Sequence, residues 1–360
     1  MERAVDGAKA HDFVSLTNPH RRAFARLARN LAYGHKHFKR ATRVLIALAE
    51  HEPADHREDP VLPSFLELFW IGLSRTQAVP EQRYQVIDQL LGHNDPNRRR
   101  LAVLALEHAL ETGPRSSSFD GRFGSHPRAQ EWSPKTVAEQ QDYFRGALRR
   151  LTQIACGGED LAETARTSIA REIRGLIRIG QIDDVDAAMR AVRAKGYWPE
   201  GWRYLCQTMH FDSKTWSVDT KAKASQMEQQ LRPISLQDRF ATFVTNDPWR
   251  FYEPDCESKV NSAGHAEQIG EEVAKVAEVW PSLVSKACAY RAPSNCGAFG
   301  RGLAKGAAHV DAMWPQLVSI FGKVDAERRN SSVLSGFLSG AVATDPDAVN
   351  VWLDAALANA

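Results

Sequence analysis

Two stretches of this chain lie 34 residues apart and carry the same pattern. Val276-x3-Trp280-Pro281-x-Leu283-Val284-Ser285 matches Val310-x3-Trp314-Pro315-x-Leu317-Val318-Ser319, and Gly302-x3-Gly306 matches Gly336-x3-Gly340 at the same offset. A period of this length is one helix pair, a unit that buries its apolar face only by stacking against its neighbours. Glycines four apart on one helix let a second helix approach closely. Trp-Pro reads as a helix start, with the indole as a core wedge. Trp280 and Trp314 are expected in equivalent core positions, where truncation of either to Ala costs about 3–5 kcal/mol. A third copy begins near Asp345-Pro346 and contains Trp352-Leu353. Helical arrays close with a polar cap. The apolar ending therefore reads as an expectation that these 360 residues are a piece of a longer chain.

The rest of the sequence carries the 3.6-residue helical period. Phe24, Leu27, Ala28 and Leu31 form one expected buried stripe, and Phe38, Ala41, Leu45 and Leu48 form another. Similar patterns recur near 62–73, 81–92, 97–112, 137–155, 160–179, 182–195, 199–210, 215–231, 235–245, 257–279 and from 281 onward. Helix starts are marked at Asn94-Asp95-Pro96, at Ser235 to Asp238, and at Thr136-Val137-Ala138-Glu139, which has the form of a capping box. Gly113-Pro114 and Gly157-Gly158 read as stops, and Asn246-Asp247-Pro248 as a turn. The fold expected is all-α, a solenoid of HEAT- or TPR-like helix pairs. Four segments are expected: a basic N-terminal block over 1–112, an irregular loop over 113–135, a middle block over 136–246, and the repeat-bearing block over 247–360. The loop carries Phe119, Phe123 and Trp132, which argue that it folds back onto the helical body.

Chemistry-bearing motifs are scarce. There is no G-x4-G-K-[ST] phosphate cradle, no H-E-x-x-H and no G-x-S-x-G. Two residues apart on a helix, His35 and His37 point about 200° from each other and cannot chelate together. His51-x4-His56 is no more than half a metal site. Five cysteines, an odd number with no C-x-x-C pair, support neither a disulfide framework nor a zinc site. They read as free thiols of a cytoplasmic protein. The polar start, Met1 to Asp6, does not read as a secretory signal, and no apolar run approaches membrane-spanning length. The expectation is a non-enzymatic protein with no metal, no cofactor and no membrane partner.

Charge does single out one region. The 46 basic and 44 acidic side chains nearly cancel, yet no Asp or Glu occurs from Phe13 to Ala49, where eight Lys and Arg stand. Arg22, Arg26 and Arg29 are expected on one stripe of the first helix, and Lys36, Lys39, Arg40 and Arg43 on one stripe of the second. Two such helices side by side suit an acidic protein, an acidic neighbouring domain or nucleic acid. Interleaved aromatics for single-strand stacking are thin, with Phe24, Tyr33 and Phe38 alone nearby. Trp198, Trp202 and Tyr204 form a further aromatic group, read first as core and second as anchors of a binding groove.

Three groups of residues resemble a known family. They are Phe65-x3-Phe69-x3-Leu73-Ser74-x-Thr76-x-Ala78 with Arg83 and Asp95-Pro96-x2-Arg99; Phe123-Gly124-x3-Arg128-x3-Trp132-x-Pro134-Lys135-Thr136; and Gly300-Arg301-Gly302-Leu303 with Leu334-Ser335-Gly336-Phe337-Leu338-x-Gly340. The combination resembles the helical-repeat region that follows the nucleotidase module in bacterial STAND (NLR-like) NTPases of antiviral defence. The resemblance implies a sensor that recognises a foreign, phage-derived protein, or an adjoining NTPase domain, and releases that NTPase to oligomerise. It adds Arg128 and Trp132 to the candidate partner-binding residues. Ala129-Gln130-Glu131 departs from the more aromatic or glycine-containing stretch expected there. No NTPase motif lies in this chain, so nucleotide chemistry would belong to sequence outside it. A nucleic-acid-binding role for the basic helices ranks second.

Overall fold

The computed structural model describes residues 15, 20–50, 52, 61–113, 130–158, 160–246, 252 and 261–358. Among them it is all-helical, with seventeen α-helices and no strand. The chain divides into two compact units, Met1–Gly196 and Tyr197–Ala360. The division therefore falls at Gly196, and the loop expected over 113–135 lies inside the first unit. The further break expected near 247–256 lies almost wholly outside the described residues.

The first unit contains α1 (Arg21–Leu31), α2 (Phe38–Ala49), the short α3 (Leu62–Leu66), α4 (Pro80–Leu91), α5 (Pro96–Leu110), α6 (Val137–Ala155), α7 (Ala162–Arg178) and α8 (Ile182–Arg193). Local chemistry places several starts where the sequence put them. Asp95 accepts the Asn97 N–H at 2.9 Å, with Pro96 at the first helical position. Thr136 accepts the Glu139 N–H at 3.1 Å. The Glu139 carboxylate takes the Lys135 N–H at 2.7 Å, one residue beyond the cap amide that a capping box uses.

Helices two apart in sequence lie side by side and parallel. Tyr84 of α4 lies against Gly146 of α6, and four residues further along both helices Asp88 holds Arg150 through two 2.7 Å bonds. Arg171 of α7 reaches back to Glu107 of α5 at 3.1 Å, and Glu172 accepts from the Thr112 N–H and hydroxyl at 2.9 and 2.8 Å. Helices α5, α6 and α7 thus pack together across the inserted loop.

The second unit contains α9 (Pro199–Asp212), α10 (Val218–Leu231), α11 (Leu236–Phe243), α12 (Ser262–Ala274), α13 (Trp280–Cys288), α14 (Cys296–Gly306), α15 (Val310–Gly322), α16 (Ser332–Val342) and α17 (Pro346–Ala358). Its centre is a row of three parallel helices, α12, α14 and α16, in backbone-to-backbone contact. A Cβ on Gly302 or Gly306 would overlap the carbonyl oxygens of Glu267 or Glu271 in α12. A Cβ on Gly336 would overlap that of Gly297 in α14, and one on Gly340 would come within 2.8 Å of Arg301 O. Both halves of the repeated G-x3-G therefore do the same thing: each opens one face of a repeat helix to the repeat helix before it. Beside this contact Arg301 reaches Glu267, 34 residues back, at 3.4 Å, and Lys305 bonds the same carboxylate. The Lys305 and Arg301 bonds hold the Glu267 carboxyl below its ordinary range, Lys305 most strongly.

The two Trp-Pro copies diverge. Trp280 begins α13 and is buried at 6% exposure. Trp314 lies inside α15, which starts at Val310, and is half-buried in a stack with Trp352 (5.3 Å) and Phe337 (6.0 Å). Leu283 and Leu317 are both core, but Val284 is buried where Val318 is 43% exposed. The equivalence expected of the two rings holds for the helix pair and not for its depth: Trp280 and Val284 of α13 are covered, while the matching positions of α15 leave Trp314 half-buried and Val318 exposed. Trp280→Ala is expected to cost about 3–5 kcal/mol. Trp314→Ala is expected to cost about 1–2 kcal/mol, since part of its surface never leaves water. Urea titrations of the two variants check the difference. Equal costs would mean that the two rings are equally buried.

In the first unit the buried face of α1 is not the one hydrophobicity selects. Ala25, Ala28, Arg21 and Arg29 point inward, and Leu27 is 38% exposed. Helix α2 buries Phe38, Ala41, Leu45 and Leu48 as expected. Trp198 and Trp202 are core. Trp198 lies over Gly201, and the Trp202 indole N–H donates to the buried Glu228 at 2.9 Å.

Candidate functional site

Of the cations expected on two helical stripes, six are exposed: Arg22, Arg26, Lys36, Lys39, Arg40 and Arg43. Lys36 lies in the turn before α2, which begins only at Phe38, so it is not on the second stripe. Arg29 is corrected. It is 2% exposed and donates to the carbonyls of Ser74 (2.7 Å) and Arg75 (3.2 Å), with Glu67 at 3.9 Å. Alanines at 25 and 28 bring α1 close to the body, and the long Arg29 stem then reaches backbone that a Leu or Phe at that position would leave without a donor. Arg21 is likewise internal. It donates to Leu48 O at 2.6 Å and pairs with Glu52 at 2.9 Å, and Glu52 also accepts the Val61 and Leu62 amides. A helix lined with arginine thus splits its cations between fastening and exposure. Arg26, Lys36 and Lys39 form no ion pair among the described residues.

Between α2 and α4 the face opens into a cleft of about 270 Å³. Lys39 and Arg43 stand on one rim and Arg98, from the start of α5, on the other. Arg98 is bound to Glu50 at 2.6 Å.

Trp132 lies elsewhere, at a node built on the loop before α4. That loop contains Leu73 and Arg75, at φ 58° and 50°, a left-handed conformation that costs non-glycine residues about 1 kcal/mol or more each. Two buried guanidiniums hold it. Arg29 takes two carbonyls, as above. Arg83, with no exposed surface, donates to Ala78 O (2.9 Å), Trp70 O (2.5 Å) and Ser74 Oγ (3.0 Å). Two aromatic faces cover Arg83, Trp132 at 5.1 Å and Tyr143 at 5.8 Å. Thr76 Oγ1 donates to Ala32 O at 2.6 Å. The Trp132 N–H donates to Thr76 O at 2.9 Å, and Glu131 accepts the Arg75 N–H at 2.5 Å. Phe65, Phe69, Ser74, Thr76, Ala78, Arg83 and Trp132, which carry much of the resemblance drawn above, meet at or beside this one loop. Phe119, Phe123 and Arg128 lie outside the described residues.

Trp132 also edges a wider cleft of about 1120 Å³ between α4 and α6. Its floor is Tyr84 and Tyr143, whose hydroxyls donate to Tyr143 O and Phe69 O. Burial pushes the Tyr84 hydroxyl well above its ordinary range, and Tyr143 adds to the shift. Arg150 lies 4.3 Å over the Tyr84 ring, and its pKa is raised by its bonds to Asp88. Sequence reading did not nominate Arg83, Tyr84, Tyr143 or Arg150 as site residues. The i, i+7 spacing of Tyr143 and Arg150 marks a shared helix face but not which partner it meets, and nothing local marks Arg83 or Tyr84.

No group of His, Cys, Asp or Glu able to hold a metal occurs among the described residues. Cys206, Cys288 and Cys296 are buried free thiols, and burial pushes Cys288 up to about 11. No described helix is long and apolar enough to cross a membrane. Comparison with protein families, curated proteins and solved structures gave no match.

Proposed function

We propose that this chain is a non-enzymatic protein-recognition region, a solenoid of HEAT- or TPR-like helix pairs serving as the sensor of a larger bacterial defence NTPase. Its ligand is an acidic surface, on a foreign protein or on the adjoining NTPase domain. The observation that carries this reading is the exposed set Arg22 and Arg26 on α1, Lys36 in the turn before α2, and Lys39, Arg40 and Arg43 on α2, in a stretch with no acid in its sequence. The parallel stacking of helices two apart, in each unit, supports the repeat architecture. The resemblance to STAND sensor regions supports the biological setting. The sequence holds no G-x4-G-K-[ST], and the proposal accordingly places nucleotide chemistry in another part of such a protein.

The test is charge reversal. Arg22, Arg26, Lys36, Lys39 and Arg43 are changed together to Glu, which leaves the buried stripe of α2 intact. The unmodified chain should bind poly-glutamate at ~150 mM salt and the variant should not, with equal helical circular dichroism. Duplex DNA should bind weakly, without sequence preference. Submicromolar duplex binding that is lost on reversal, with a log–log salt slope of about −0.9 per phosphate contacted, would replace the proposal with the nucleic-acid reading.

A further inference from the structure

The cleft between α2 and α4 combines two chemistries that a phosphate-binding surface does not need together. Its rim is cationic: Lys39 and Arg43 stand one helical turn apart on α2, and Arg98 faces them. Its floor is apolar: Ile46, Val86 and Leu90 line it at 9%, 4% and 4% exposure. A phosphate backbone is bound by cations and polar donors and gains nothing from an apolar floor, and no Phe, Tyr or Trp lines the cleft to stack a base, His93 being the one ring there. An apolar floor under a basic rim fits a peptide whose large apolar side chain is flanked by carboxylates. One of the lining cations already holds a carboxylate, since Arg98 binds Glu50 at 2.6 Å, which leaves Lys39 and Arg43 as the cations offered to a ligand. At about 270 Å³ the cleft has room for a large side chain but not for a folded element.

We propose that this cleft is the recognition pocket for an acidic–apolar peptide segment of the partner protein, with the apolar side chain on Ile46, Val86 and Leu90 and its acidic neighbours on Lys39 and Arg43. The proposal rests on the reading of the basic face as a protein-docking surface and supplies that surface with its specificity. Non-specific attraction would reward negative charge wherever it lies. This pocket rewards one apolar group placed among acids.

Two fluorescent peptides test it on the full chain at ~150 mM salt: Glu-Glu-Phe-Glu-Glu and Glu-Glu-Gly-Glu-Glu. The Phe peptide should bind about 10-fold more tightly, the ratio that partial burial of one aromatic side chain gives. Gln89 is exposed at the cleft edge. Gln89→Trp should fill the cleft without altering a charge, and so lower the Phe peptide to the affinity of the Gly peptide. Lys39→Glu with Arg43→Glu should abolish binding of both. Equal binding of the two peptides, or a Phe preference that survives Gln89→Trp, overturns the pocket and leaves the acidic-surface reading standing. No binding of either peptide to the unmodified chain overturns both.

Discussion

Gly302→Leu should abolish cooperative folding of the C-terminal stack. Even the first carbon of a side chain at 302 has no room, because it would overlap Glu267 O in the neighbouring helix. Backbone cannot rotate away as a side chain tip can, so α12 and α14 must separate and lose the contacts between them. The cost is expected above ~4 kcal/mol, the range reached only by severe overpacking or its equivalents. Gly297→Ala is the control. It lies on the same helix, but a Cβ there meets its nearest neighbour, Ser332 O, at an ordinary 3.5 Å. It should be neutral or slightly stabilising, because Ala is the better helix former. Urea unfolding followed by circular dichroism separates the two. A Gly302→Leu chain that unfolds within ~0.5 kcal/mol of the parent would mean that the helices do not touch through their backbones.

Arg83→Ala should cost about 5 kcal/mol. Two buried acceptors, Ala78 O and Ser74 Oγ, and the part-buried Trp70 O lose their donor together, and each unsatisfied buried group costs about 1–3 kcal/mol. The strained backbone at Leu73 and Arg75 loses one of its two clamps. Trp132 loses the cation beneath its ring. Arg83→Lys restores the charge but not the planar fork, so it should recover less than half of the loss. Tryptophan fluorescence under urea reads both stability and the Trp132 environment. Recovery of full stability by Lys would show that charge, not geometry, holds the loop.

Much of the architecture was legible along the chain because it depends on local rules. The 34-residue offset of Trp-Pro and G-x3-G marked the repeat, and the structure turns the same offset into a physical contact, Arg301 to Glu267. Asp95, Thr136 and Ser235 each cap a helix as their side chains require. The inward face of α2 followed from its apolar spacing. Each of these needs only the residues within one or two turns.

The candidate site was less legible, for a different reason. Sequence spacing put Arg22, Arg26 and Arg29 on one stripe, but it could not say that unpaired carbonyls at Ser74 and Arg75 would wait beside Arg29, 45 residues on. The contact of Arg83 with Trp132 joins residues 49 positions apart, beyond the reach of any local pattern. The repeat spacing placed Trp280 and Trp314 alike, although Trp280 is buried and Trp314 only half-buried, a difference set by the neighbours that packing brings to each. Periodicity, caps and local charge are properties of near neighbours, so the all-α class, the helix starts, the repeat period and the acid-free cationic span could all be read along the chain. Which arginines are fasteners and which face water, and the apolar floor that two helices leave beneath Lys39 and Arg43, follow from long-range packing. The fate of a long cationic side chain is set by the acceptors that packing brings within its reach, and those come from distant parts of the chain.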